Sequence, residues 1–366
     1  MRGVLTGVEL SDTHSLATAF ESLSMACIIQ RGGWKCTEPD PDRGADILCR
    51  DIVQQRNLAV EVKAARVRET GGQPRSAARN GRRVYQFRFD PNQVRDFGHA
   101  PNRVYIVWLV LEGAEPLALL FSTPQLRELC NVEGRGVQWN IHLFQSLEDP
   151  HDILWDTVNE ETEGRAIRGN VEDWSCFTPH PEFLGSRDIQ LQALHVTKYN
   201  LILTGNLSVG IIPMEDSTPG DLSIIRTDNL SLQNAMVLSE TRMKKPRFWQ
   251  FGDSRVWKEA ASRDSEIFAF RYTKKQLASI DSGANDLLII MWLVISGELM
   301  FPAVYPGDSV IRDILHNQGG RILFLCRVED GEVQSLEIID GNSSIDASPS
   351  LWNFSILGDE DGEGPE

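Results

Sequence analysis

Asp46, Glu61 and Lys63 are the residues of this chain whose types and spacing could do chemistry. Glu61 and Lys63 flank Val62, and on a β-strand residues two apart point to the same face. Asp46 lies fifteen positions before Glu61, a separation that a hairpin closes. Two carboxylates with a lysine beside them form a site for a hard cation with a positive group next to it.

The stretch that must position them is Gly44–Lys63, GADILCRDIVQQRNLAVEVK. A short segment follows Asp46, a polar connection spans Arg50–Asn57, and an apolar run Leu58–Val62 ends at Lys63. This is the pattern of two antiparallel strands, with Val60 and Val62 facing the core. Upstream, Ser15–Ile29 carries Leu16, Phe20, Leu23 and Cys27 at helical spacing, together with Glu21. Gly32-Gly33 stops that helix, and Trp34-Lys35-Cys36 begins a strand.

The order of helix with Glu21, strand, hairpin with Asp46, and strand with Glu61-Val62-Lys63 resembles the PD-(D/E)XK nuclease superfamily, the restriction-endonuclease-like fold. Ala45 stands where that family commonly has proline. The resemblance implies an α/β fold with a mixed central sheet flanked by helices. It further implies that Asp46, Glu61 and the Val62 backbone carbonyl bind Mg²⁺ or Mn²⁺, with Glu21 completing the shell directly or through water. Lys63 would then orient or help deprotonate the attacking water, and the metal would polarise the scissile phosphate. The bland alternative is an ordinary strand ion pair between Glu61 and Lys63, with Asp46 in a turn.

The chain has 366 residues, 41% of them apolar, enough for one large core or two ordinary ones. A net charge of −16 argues against indiscriminate coating of nucleic acid, though a local basic groove is compatible with it. The longest apolar runs, Val104–Leu111 and Leu287–Ile295, are far below the roughly 20 residues that cross a bilayer, and read as buried strands. With no signal segment and no membrane span, the chain reads as cytoplasmic. Cys27, Cys36, Cys49, Cys130, Cys176 and Cys326 form no C-x-x-C pair and read as reduced thiols rather than metal ligands.

Lys63–Arg83 holds seven bases against one acid. Arg66, Arg68, Arg75, Arg79, Arg82 and Arg83 read as a phosphate-gripping arm beside the site. A strand Val84–Phe89, a helix from about Pro91 to Phe97, the strand Val104–Leu111 and a helix Pro124–Cys130 follow. Glu148–Asp173, with nine acids and two arginines, reads as an inter-domain linker, and Asp359–Glu366 as an acidic, disordered tail.

The second half repeats the first. YQFRFDPNQV (Tyr85–Val94) matches FAFRYTKKQL (Phe268–Leu277), and NRVYIVWLVLEG (Asn102–Gly113) matches NDLLIIMWLVISG (Asn285–Gly297), with Trp108 against Trp292. Asp221 takes the place of Asp46, and MVLSETR (Met236–Arg242) that of Leu58–Lys63. Glu240-Thr241-Arg242 keeps the acid-x-base form only loosely, and Gln192 stands near the place of Glu21. Arginine replaces lysine poorly, so this copy reads as degenerate. Its basic loop Arg242–Lys258 includes Lys244, Lys245 and Arg247 among Phe248, Trp249 and Trp257, a composition that suits a nucleic-acid surface.

The expected organisation is therefore a catalytic domain over 1–147, a linker over 148–180, a degenerate repeat over 181–357 and a tail over 358–366. The expected activity is a metal-dependent endonuclease on DNA, with RNA left open, in a prokaryotic defence or DNA-processing setting. One active centre cuts one strand, so cleaving a duplex calls for a homodimer or two nicks. The reading from a different class is a non-catalytic nucleic-acid-binding or assembly subunit of a larger complex.

Overall fold

The computed structural model describes residues 13–39, 45–67, 82–90, 102–111, 114–131, 140–156, 164–204, 207–211, 221–226, 232–241, 265–282, 287–295, 298–306, 310–329, 332–340 and 343–346. The chain is mixed α/β and forms two compact units that divide between Leu184 and Gly185.

In the first unit the order is α1 (Thr13–Ile29), β1 (Trp34–Thr37), β2 (Ile47–Asp51), β3 (Arg56–Arg66), β4 (Arg82–Arg88), β5 (Arg103–Val110), β6 (Leu117–Ser122), α2 (Thr123–Leu129), β7 (Asn140–Ser146), β8 (Ile153–Trp155) and β9 (Arg165–Ala166). Two sheets result, β1-β2-β3-β5-β6 and β4-β7-β8-β9. β3 and β5 run parallel, and the other pairs are antiparallel. The expected hairpin is β2–β3. Its turn is closed by Asp51 Oδ1, which accepts the Val53 and Gln54 amides at 2.9 Å each.

The faces of the first sheet differ. Trp108 on β5 donates its indole N–H to Ser24 Oγ of α1 at 2.8 Å and packs against Phe20, so α1 covers the face carrying Trp108 and, by register, Ala64. The alternate residues Ala65, Tyr105, Val107, Leu109, Leu119 and Phe121 meet Tyr85, Phe87, Leu143 and Trp155 of the second sheet in one buried cluster.

The acidic stretch does not behave as a linker over its described part. Residues 164–184 belong to the first unit. Trp174 and Phe177 are buried, Trp34 Nε1 donates to the Thr178 carbonyl at 2.9 Å, and Arg56 donates to the Cys176 carbonyl at 2.6 Å. The His180 amide donates to the Arg31 carbonyl at 2.7 Å, and a Cβ at Gly32 would lie only 2.2 Å from the His180 carbonyl oxygen. The boundary thus falls well after the expected one at 147, because buried aromatics outweigh the charge of the sequence around them: each is worth about 2–3 kcal/mol.

The second unit contains α3 (Ser186–Thr204), β10 (Leu207–Ile211), β11 (Asp221–Arg226), β12 (Leu232–Thr241), β13 (Ser265–Arg271), α4 (Lys274–Ser282), β14 (Leu287–Ile295), β15 (Glu298–Pro306), α5 (Val310–Asn317), β16 (Arg321–Glu329), β17 (Glu332–Asp340) and β18 (Ser343–Asp346). Its sheets, β10-β11-β12-β14-β15 and β13-β16-β17-β18, repeat the strand order of the first unit, again with a single parallel pair, β12–β14, in the first of them. Trp292 Nε1 donates to Thr197 Oγ1 at 2.8 Å, the same helix-to-sheet bond as Trp108 to Ser24. The repeat read from the sequence is a repeat of architecture.

Candidate active site

Val60 and Val62 are buried, and Glu61 between them is buried too, only 4% of its side chain being exposed. Lys63, on the same face two residues on, is 25% exposed and places Nζ 2.6 Å from Glu61 Oε1. The two are thus no surface pair: one partner is held inside the protein and the other reaches out from it.

Asp46 stands just before β2. Its amide donates to the Val60 carbonyl at 2.9 Å, and its Oδ2 accepts the Val62 amide at 2.7 Å. Both bonds anchor it to β3. Burial, and then the like charge of Glu61, push the Asp46 carboxyl up, against the Val62 amide, Lys63 and Arg103, which pull it down. The hairpin therefore brings Asp46, Glu61 and Lys63 together, as the spacing required.

The parallel β3–β5 register adds two residues that local spacing did not reveal. Tyr105 lies opposite Glu61, and Arg103 opposite Ala59. Burial pushes the Tyr105 phenol up to about 12, so beside the carboxylates it stays a neutral phenol even in mildly alkaline solution where a free tyrosine begins to ionise. The only sequence signal for either was a polar head on an apolar strand.

The remaining sequence-read residues fall elsewhere. Glu21 is on α1, which packs on the opposite sheet face through Ser24 and Phe20. Val62, whose carbonyl was expected among the metal ligands, donates its N–H to Asp46 Oδ2 at 2.7 Å. Arg66 belongs to β3 rather than to a loop, on the alternation of Val62 and Ala64, opposite to Glu61. Arg82 is occupied structurally, donating to the Asp152 carboxylate and carbonyl, and Arg83 pairs with Gln145 in the β4–β7 register. Arg68, Arg75, Arg79, the helix from Pro91, the loop with Lys244, Lys245 and Arg247, and the acidic tail lie outside the described residues.

In the second unit the ladders settle the alignment. Trp292 pairs with Ser239 as Trp108 pairs with Ala64, so Met236 holds the position of Glu61 and Leu238 that of Lys63. Asp221, paired with Met236, holds the position of Asp46, as the sequence indicated. Glu240 is displaced by four residues (240 − 236) and is not the counterpart of Glu61, and Arg242 lies outside the described residues. The helix correction is similar: Thr197 matches Ser24, so Leu194 (21 + 173) rather than Gln192 matches Glu21.

Neither a protein-family model nor a curated protein matches this chain. No helix among the described residues is long and apolar enough to cross a membrane. Among those residues, no group of three or more His, Cys, Asp and Glu is placed to hold an ion. Asp46 and Glu61 are a pair of carboxylates, and Mg²⁺ commonly takes one or two carboxylates and fills its shell with water and substrate oxygens.

Proposed function

We propose that the first unit is a divalent-metal-dependent endonuclease that hydrolyses phosphodiester bonds in DNA, and that the second unit is a non-catalytic copy of it. The observation that carries this reading is the convergence of Asp46 and Glu61 on one sheet face with Lys63 on Glu61. Support also comes from the order of α1, the β2–β3 hairpin and the strand of Glu61-Val62-Lys63, which agrees with the restriction-endonuclease-like resemblance.

The donor set fits a hard cation. Two hard oxygen donors lie close enough for the charge of Glu61 to raise the Asp46 carboxyl; a bound cation would relieve that repulsion. Asp46 and Glu61 would hold the ion, which supplies Lewis-acid polarisation of the phosphate when bound. Asp46 is fixed for this by the Val62 amide. Lys63, released from Glu61, orients the attacking water and offsets charge building on the phosphoryl oxygens. Tyr105, kept protonated, can donate a hydrogen bond toward Glu61 or a phosphate oxygen.

A supercoiled plasmid incubated with Mg²⁺, and in parallel with EDTA, tests the reading. Nicked or linear product with metal alone is expected; undiminished cleavage by Lys63→Ala overturns the assignment. The non-catalytic nucleic-acid-binding reading is favoured by one observation, the Lys63–Glu61 bond at 2.6 Å, which keeps the ammonium on its neighbour. It predicts a mobility shift without product under the same conditions.

A further inference from the structure

The sheet face that carries Asp46, Glu61 and Lys63 extends toward β1 as a groove of about 650 Å³. Lys35, Leu48, Arg50, Asn57, Ala59 and Arg103 line it. The registers put them in adjoining cross-strand rows: Lys35 opposite Arg50, Arg50 opposite Asn57, Leu48 opposite Ala59, and Ala59 opposite Arg103. Ala59 and Glu61 are two apart on β3, so the groove opens directly beside the carboxylates. No carboxylate is among the described lining residues, although the chain as a whole carries a charge of −16.

Like charges directly opposite on antiparallel strands destabilise the pairing. Lys35 and Arg50 are such a pair, both exposed, and Arg50 is steered by a bond from its guanidinium to Gln55 Oε1 at 2.7 Å. An anion seated over the two converts repulsion into charge-assisted bonds. Across the groove, Arg103 stands opposite Ala59 and two residues before Tyr105, the residue opposite Glu61; its side chain hydrogen-bonds Tyr105, and its Nε is buried with no hydrogen-bond partner among the described residues. Cations thus stand on both sides, one set at the β1 edge and one at the carboxylates.

Between them the floor is aliphatic, Leu48 and Ala59. A bare phosphate ion gains nothing from that floor, and neither does a duplex, whose base faces are stacked inside it. An unpaired strand has both parts: phosphates for the cations and open base faces for the apolar surface.

We infer that this groove binds a single-stranded DNA segment, with its phosphates on Lys35, Arg50 and Arg103, and leads it to Asp46 and Glu61. The inference rests on the nuclease reading for what happens at the carboxylates, but not for the binding itself. The substrate is then DNA with an unpaired stretch, such as a flap, a gap or a melted site.

Anisotropy titration of a fluorescein-labelled single-stranded DNA oligonucleotide, in EDTA so that cleavage plays no part, tests it on the full chain. Expected are a loss of at least about tenfold in affinity for the Lys35→Gln/Arg50→Gln/Arg103→Gln protein, and a salt slope shallower by about 2, near 0.7 per phosphate contact. Lys35→Gln alone, at an exposed edge position, guards against misfolding: it should melt no lower than the parent and still lower the slope by about 0.7. Unchanged binding by the triple variant, no binding by the parent, or equal affinity for the matching duplex would overturn the groove. A groove that binds in EDTA while flap and gapped DNA stay intact with Mg²⁺ would instead sink the nuclease reading alone.

Discussion

Asp46 Oδ2 accepts the amide N–H of Val62 at 2.7 Å, so the first acid is tied to the strand that presents Glu61 and Lys63. The separation between the two carboxylates is therefore set by a backbone bond and not by the flexibility of a loop. Asparagine can accept the same bond without the charge.

That makes Asp46→Asn informative about pH. The Asp46 carboxyl is raised above 3.8 in the folded protein by burial and by Glu61. The folded state thus binds this proton more tightly than the unfolded state, and stability falls as pH rises from 3.8 through the folded value. At pH 7 (neutral, about the usual working range) the ionised group costs stability, so Asp46→Asn should melt about 2–4 °C higher than the parent. The gain should shrink toward acid pH, where Asp46 in the parent is protonated. Millimolar Mg²⁺ should raise the melting temperature of the parent and leave the variant unmoved. A variant that melts below the parent at every pH would show that Asp46 is structural.

Lys63→Ala should lower plasmid cleavage by about 100-fold or more, as loss of a charge-stabilising donor does. Lys63→Arg should not restore it, because a guanidinium neither yields a proton nor matches the ammonium in shape. Loss of the Lys63 ammonium at 2.6 Å from the buried Glu61 should then cost the fold about 1–3 kcal/mol in urea unfolding.

The residues that close the first unit should be indispensable to it. A fragment ending at Leu184 should fold by circular dichroism and show a cooperative melt, whereas one ending at 147 should not, having lost Trp155, Trp174 and Phe177. Gly32→Ala should cost more than about 3 kcal/mol, since Gly32 has φ of 72° and its Cβ would overlap the His180 carbonyl. Equal stability of the two fragments would reinstate the acidic stretch as a linker.

Glu240→Ala combined with Arg242→Ala should leave cleavage within about twofold of the parent, because the register gives the positions of Glu61 and Lys63 to Met236 and Leu238. Loss of cleavage there, with the melt unchanged, would mean that the second unit takes part in chemistry.

Local pattern carried a large share of this structure. Alternation in Leu58–Val62 and the polar stretch before it were enough for the β2–β3 hairpin, since pairing across a short turn depends on near neighbours. The repeat was equally legible, because the long apolar strands with Trp108 and Trp292 recur with the strand–helix pattern around them. Charge counting misled at Glu148–Asp173, where a few buried aromatics decide and nine acids do not. It misled again at Arg82, which reads as a free cation in the sequence and turns inward to Asp152 in the fold. In the second unit, acid-x-base spelling drew the eye to Glu240 and Arg242, where strand register chooses Met236 and Leu238.

What the sequence determined alone was which residues could meet: Asp46 with Glu61 and Lys63, because a hairpin and a two-residue strand period are local geometry. What the tertiary structure decided was their company. Parallel pairing of β3 with β5 brings Arg103 and Tyr105 to the carboxylates across roughly forty residues of chain (103 − 61 is 42). Antiparallel pairing of β1 with β2 sets Lys35 against Arg50 at the far side of the groove. Such contacts depend on sheet order, and sheet order follows from the whole pattern of burial rather than from any one stretch.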